Sequence, residues 1–146
     1  MKASASERSI RDWLPTFSEA AGVGVALLGV LVLVGWMGDI SFLIRLAPGF
    51  VAMNPLTAVA FILAGLALRQ QARRQPGAAP DALPLTLAAV VALVGAVKLA
   101  QYLFSFDFPI DQFLFRSRLG ASDVFPRNEM APNTALCFFF SGLALA

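Results

Sequence analysis

Apolar residues in this chain fall into four long blocks. They follow neither the strict alternation of a half-buried strand nor the one-sided period of an amphipathic surface helix. The blocks run over Ala20–Met37, Phe50–Leu68, Leu83–Phe104 and Met130–Ala146. At 1.5 Å per residue the first spans about 27 Å, close to the roughly 30 Å hydrocarbon core of a bilayer. The expected fold is an all-α membrane protein, with transmembrane helices at about 20–37, 50–68, 83–104 and 130–146. Residues 1–18 are polar and charged and read as a tail. Residues 19–146 read as one transmembrane domain.

The ends of the blocks carry helix signals. Asn54 followed by Pro55 supplies an N-cap and a first-turn proline, whose missing N–H costs nothing there. Pro132 marks the same place in the fourth block, where Asn128 and Glu129 are candidate capping groups. The first block could be mistaken for a signal peptide. It ends in GWMGD, however, with no small-x-small cleavage site, and reads as an uncleaved anchor.

Two blocks are copies. MNPLTAVAFILAGLAL at Met53–Leu68 and MAPNTALCFFFSGLAL at Met130–Leu145 match at nine of sixteen positions, at an offset of 77 residues. The matches include Pro, Thr, Phe and Gly, so apolar composition alone does not account for them. The repeated helix start is Met53, Pro55 and Thr57, then Met130, Pro132 and Thr134. Each copy also holds a small residue before a glycine (Ala64–Gly65 and Ser141–Gly142), a pattern that lets helices approach closely in lipid. The blocks then read as two parallel helical-hairpin repeats, each a helix running out and a copy-bearing helix returning. A pair of parallel repeats is naturally related by an axis along the membrane normal. The copied motif serves helix starting and packing on one reading, and frames a ligand site on the other.

Charge sets the orientation. The tail (Lys2, Arg8, Arg11) and the 69–82 connection (Arg69, Arg73, Arg74) hold six basic residues. The other two connections hold four: Arg45, Arg116, Arg118 and Arg127. The positive-inside rule puts the N-terminus in the cytoplasm and the 105–129 connection outside. Trp13 and Phe17 suit the membrane interface. The expected location is a bacterial inner membrane, crossed several times.

Composition narrows the chemistry. The chain is 58% hydrophobic and 14% charged, against roughly 25% charged in soluble domains. There is no histidine, which removes the commonest general base and zinc ligand. The lone Cys137 lies in an apolar run and reads as a buried, inert thiol. No phosphate-binding loop, GxSxG or HExxH motif is present, and no basic cluster interleaves with aromatics. The segment carries no catalytic residues, no metal site and no nucleic-acid partner on this reading. Its partner is the lipid bilayer.

The costly residue is Lys98, since a lysine at the centre of a membrane helix costs roughly 2.5–3.5 kcal/mol. Its stem can snorkel to the outer interface. Alternatively, Lys98, Gln101 and Tyr102, at i, i+3 and i+4, form one polar face beside Asp107, Asp111 and Glu129. These six residues are the candidate site for a small-molecule or membrane signal. FDFPIDQFLF in the outer connection suits a short interfacial helix, either a lid or an ordinary anchor.

DFPIDQFLF followed by RNEMAPNTALCFFFSGLAL, with MNPLTAVAFILAGLAL as an earlier copy, resembles the N-terminal membrane-embedded sensor region of bacterial signalling proteins. In those proteins such a region precedes PAS domains and a histidine kinase, or a diguanylate cyclase/phosphodiesterase output. The resemblance covers most of residues 20–146. It implies the sensing and anchoring input of a signal-transduction protein, a sensor histidine kinase before a cyclase. It also implies a homodimer formed through a cytoplasmic part. No cofactor is expected in this segment, with ATP and Mg only if a kinase domain follows. Proteins of the family it resembles commonly carry an acidic residue before the tyrosine of the third helix. Gln101 stands there in this chain, so a role for that carboxylate does not carry over. The fourth block is still apolar at Ala146, and the expectation is that the chain given is the front of a longer one. A small transporter or channel subunit is the alternative, and so is a pure anchor.

Overall fold

The computed structural model describes residues 5–45, 51–75, 77, 81–106, 110–112, 114 and 128–146. Asp107, residues 46–50 and most of the 105–129 connection lie outside the described residues; of the expected interfacial helix FDFPIDQFLF, only Phe106, Ile110–Gln112 and Leu114 are described. What is described is all-helical, with no strand. α1 spans Ala5–Gly38, α2 Ser41–Arg45, α3 Pro55–Ala72, α4 Ala82–Phe104 and α5 Pro132–Leu145, and a single 3-10 turn covers Ile110–Gln112.

The helix ends follow local chemistry. The Asn54 side chain accepts from the Leu56 N–H at 2.7 Å, with Pro55 in the first turn. Asp81 does the same for Leu83 at 3.3 Å and starts α4. The start of α5 differs from expectation. Its N-cap is Ala131, which has no side chain to offer, and neither Asn128 nor Glu129 caps it. Asn133 Oδ1 accepts from the Thr134 N–H at 2.9 Å instead. α1 also begins well ahead of its apolar block, at Ala5, and runs through Pro15. The short α2 had no sequence signal; it folds because Ile44 is buried under α1 and its carbonyl accepts from Met53 N–H at 2.9 Å.

Among the described residues two helices are long and apolar enough to cross a membrane, by length and composition: Trp13–Gly38 within α1, 26 residues, and α4, 23 residues. Only 28% of each apolar window is buried, unlike the core helix of a soluble domain. Leu27, Leu31, Leu93 and Phe140 are among many large apolar side chains facing outward.

α1 packs antiparallel on α3, and α4 antiparallel on α5. The contacts are backbone to backbone. A Cβ on Gly22 would lie 2.7 Å from Gly65 O, and one on Gly29 would collide with Ala58 O. In the other pair, a Cβ on Gly142 would lie 2.7 Å from Ala88 O, and one on Gly95 2.6 Å from Ala135 O. Gly65 and Ala58 become Gly142 and Ala135 at the 77-residue offset; Gly22 and Gly29 become Ala88 and Gly95 at an offset of 66. Both first helices end alike. Asp39 and Ser105, again 66 apart, hold left-handed backbone at φ 58° and 53°, a conformation uncommon outside glycine.

The two pairs meet where α3 lies against α4. Ala60, Leu56 and Leu63 of α3 join Val91, Val94 and Leu99 of α4, Ala135 and Phe138 of α5, and Met130 just ahead of α5 in one cluster. A second cluster, Val32, Trp36, Ile44, Ala52 and Ala58, fills the α1–α3 seam. At the end carrying Trp13 and Phe17, whose rings stack 5.1 Å apart, Arg73 Nε donates to Glu19 at 2.7 Å and ties α3 to α1. That hydrogen bond raises the Arg73 pKa above its usual value.

Candidate functional site

The site is built around the two methionines of the copied motif. Met53 is clamped on both backbone sides: its N–H donates to Ile44 O, and its carbonyl accepts from Trp36 Nε1 at 2.9 Å. Met130 is clamped in the same way by different groups. Its N–H donates to Asp111 Oδ1 at 3.3 Å, and its carbonyl accepts from the Tyr102 hydroxyl at 2.6 Å. Trp36 and Tyr102 are counterparts at the 66-residue offset. A first helix therefore reaches over to hold the start of a returning helix, once with an indole and once with a phenol.

The joints differ in charge. Lys98 donates to Asp111 Oδ2, and both side chains are nearly sequestered, at 4% and 3% exposure. Lys98 thus pairs inside the fold rather than reaching out to the interface. Its Nζ also lies 5.6 Å from the centre of the Tyr102 ring, within cation–π range. The counterpart of Lys98 in the first pair is Val32, fully buried. One joint is sealed by an apolar side chain and the other by an ion pair. A buried pair is weak as a stabiliser, because desolvation offsets most of its attraction.

Of the six sequence candidates, Lys98, Tyr102 and Asp111 come together around Met130. Gln101 is half-buried on the same helix, Glu129 is exposed one residue before Met130, and Asp107 lies outside the described residues. The residue missed by sequence reading is Trp36. Its signal was the 66-residue offset between the first and third blocks, marked by Gly29 and Gly95.

Next to this joint lies a cavity of about 430 Å³ between the starts of α3 and α5. Met53, Thr57, Met130 and Thr134 line it, along with Arg45 and Glu129. The motif residues thus face one another across a shared space. Asn54 spans it by donating from Nδ2 to the Asn128 carbonyl. Deeper in, Phe61 packs edge-to-face on Phe138, with ring centroids 5.2 Å apart.

Cys137 is exposed, not buried as its apolar neighbourhood suggests. It lines a second, larger space of about 640 Å³ between α1, α3 and α5. Among the described residues no group of His, Cys, Asp and Glu is arranged to hold a metal ion. No family model matches this chain, and neither the curated proteins nor the solved structures contain a match.

Proposed function

We propose that this chain is the membrane-embedded sensing and anchoring input of a bacterial signal-transduction protein of the sensor histidine kinase kind. Four helices cross the bilayer: α1, α3, α4 and α5, as two parallel hairpin repeats with the N-terminus on the cytoplasmic side. The contact between Phe61 and Phe138 supports that arrangement. They are the same position in the two copies, and a residue touching its own counterpart is the mark of a two-fold relation. The axis runs between α3 and α5, through the cavity lined by the paired motif residues.

One observation carries the functional reading. The first hairpin makes the Met53 joint without charge, so the architecture does not need the Lys98–Asp111 pair at the Met130 joint. A charge pair retained at a cost, at the outer end and next to a cavity, is where a signal can act. A ligand that competes for Asp111 also releases Met130 N–H. The start of α5 is then free to shift against α4, and the shift passes down α5 to a cytoplasmic output. Such a device needs two packings that the signal binds differently.

The test is to weigh the native protein and read its gene past Ala146. Continuation into PAS and kinase sequence is the result expected. A stop codon close behind Ala146 overturns the sensor reading.

A further inference from the structure

We infer that the cavity between the starts of α3 and α5 binds an α-amino acid with an apolar side chain. The inference rests on the sensor reading above and names the ligand class for it.

The cavity holds about 430 Å³, room for a small organic solute. Its inner polar groups are donors. Asn128 lines the space, and its side-chain Nδ2 is buried with no hydrogen-bond partner. A buried donor without an acceptor is costly, and native structures satisfy nearly all of them. Asn54 beside it is already engaged at both ends: its Oδ1 takes the Leu56 N–H, and its Nδ2 donates to the Asn128 carbonyl. Thr57 is buried and stands third in α3, where a helix leaves the backbone N–H unsatisfied. The starts of α3 and α5 both meet the cavity, each with the positive end of a helix dipole. Arg45 adds a full positive charge. A carboxylate answers this set, because it offers only acceptors and carries the opposite charge.

One lining group has the reverse character. Glu129 is exposed at the rim and is negatively charged. A simple anion meets it as repulsion. A ligand that carries an ammonium beside its carboxylate turns that repulsion into attraction. Asn128 and Glu129 are consecutive residues, and the two charged groups of an α-amino acid are joined through one carbon. Met53, Phe61 and Met130 supply the apolar part of the wall, which an apolar side chain fills. On the membrane reading the cavity lies at the outer end, where a water-soluble zwitterion arrives. Bound there, the ligand touches Arg45 and Thr57 of the first pair and residues 128–129 ahead of α5. It then stands one residue from the Met130 N–H that Asp111 holds.

The test is calorimetric titration of the full chain in detergent with L-phenylalanine and L-leucine. Two analogues accompany them: 3-phenylpropionate, which lacks the ammonium, and phenethylamine, which lacks the carboxylate. Both amino acids are expected to bind, and both analogues to bind at least about tenfold more weakly than phenylalanine. Asn128→Asp replaces the buried donor by a carboxylate and is expected to weaken phenylalanine by about tenfold or more. Glu129→Gln is expected to weaken phenylalanine and leave 3-phenylpropionate unchanged. Both substitutions are isosteric, and circular dichroism checks the fold. If either variant fails to fold, the comparison of the four compounds on the native chain still decides. Failure of both amino acids to bind overturns the proposal. So does an analogue that binds as tightly as phenylalanine, and so does phenylalanine binding that neither variant changes. The two levels separate cleanly. Amino-acid binding by a protein whose gene stops close behind Ala146 defeats the sensor reading and keeps the site. Continuation into kinase sequence without binding defeats only the site.

Discussion

Phe61 and Phe138 stand 77 residues apart at the same place in two copied segments, and they touch each other edge-to-face. Here the copies meet, so the cavity above this contact is lined twice by one motif.

This pair gives the first prediction. Phe61→Ala and Phe138→Ala each remove core volume, and each costs about 3–5 kcal/mol. In a double-mutant cycle read by denaturation in detergent, the two should couple by about 0.5–1.5 kcal/mol beyond area burial. Additive losses would mean that the rings do not meet.

The Met130 joint gives the second. Asp111→Ala leaves the Lys98 ammonium buried and unpaired, a loss of about 3–5 kcal/mol. Adding Lys98→Val, the residue type at Val32, should recover most of that loss in the same unfolding measurement. A double variant that is no better than Asp111→Ala would show that Asp111 acts through Met130 N–H rather than through the lysine.

Tyr102→Phe removes the donor to Met130 O, and Met130 is 1% exposed. A buried carbonyl left without its partner costs about 1–3 kcal/mol. The thermal midpoint of unfolding should fall accordingly, with little change in helix content by circular dichroism.

Close helix approach predicts a contrast among glycines. Gly65→Leu and Gly142→Leu drive a side chain into the partner backbone, and each should destabilise by at least about 1–3 kcal/mol. Gly24→Ala meets nothing within 4 Å, and should be neutral or stabilise by about 0.5–1 kcal/mol through helix propensity. Equal effects at all three positions would refute the packing described.

Much of this fold is legible in the sequence, for physical reasons that differ by element. The four apolar blocks locate α1, α3, α4 and α5 because helices that pack through apolar faces need long apolar runs. Asn54 and Pro55 announce the start of α3 because capping is local chemistry. Gly65 and Gly142 announce close packing because only a missing side chain permits it. The kinship of α1 and α4 is fainter. Their shared features are a helix–helix contact (Gly29, Gly95), a left-handed ending (Asp39, Ser105) and an aromatic donor (Trp36, Tyr102). Each is satisfied by different residue types, so identity does not reveal it. α2 depends on tertiary burial of Ile44 and leaves no local mark. The exposure of Cys137 depends on a helix that fails to cover it, which no single-residue property encodes. At the site, Lys98 stands out by its cost alone, but its partner Asp111 lies 13 residues on, beyond the end of α4, where helical spacing predicts no contact.

The proposed arrangement, four crossings with the Met130 joint on the outer side, is open to a topology measurement. In a Cys137→Ala background, Gln75→Cys and Ala121→Cys are each exposed to a membrane-impermeant thiol reagent in intact cells. Labelling at Ala121→Cys, with Gln75→Cys reacting only after the membrane is opened, is the predicted result. Labelling of Gln75→Cys in intact cells, or of neither position before lysis, would contradict the arrangement.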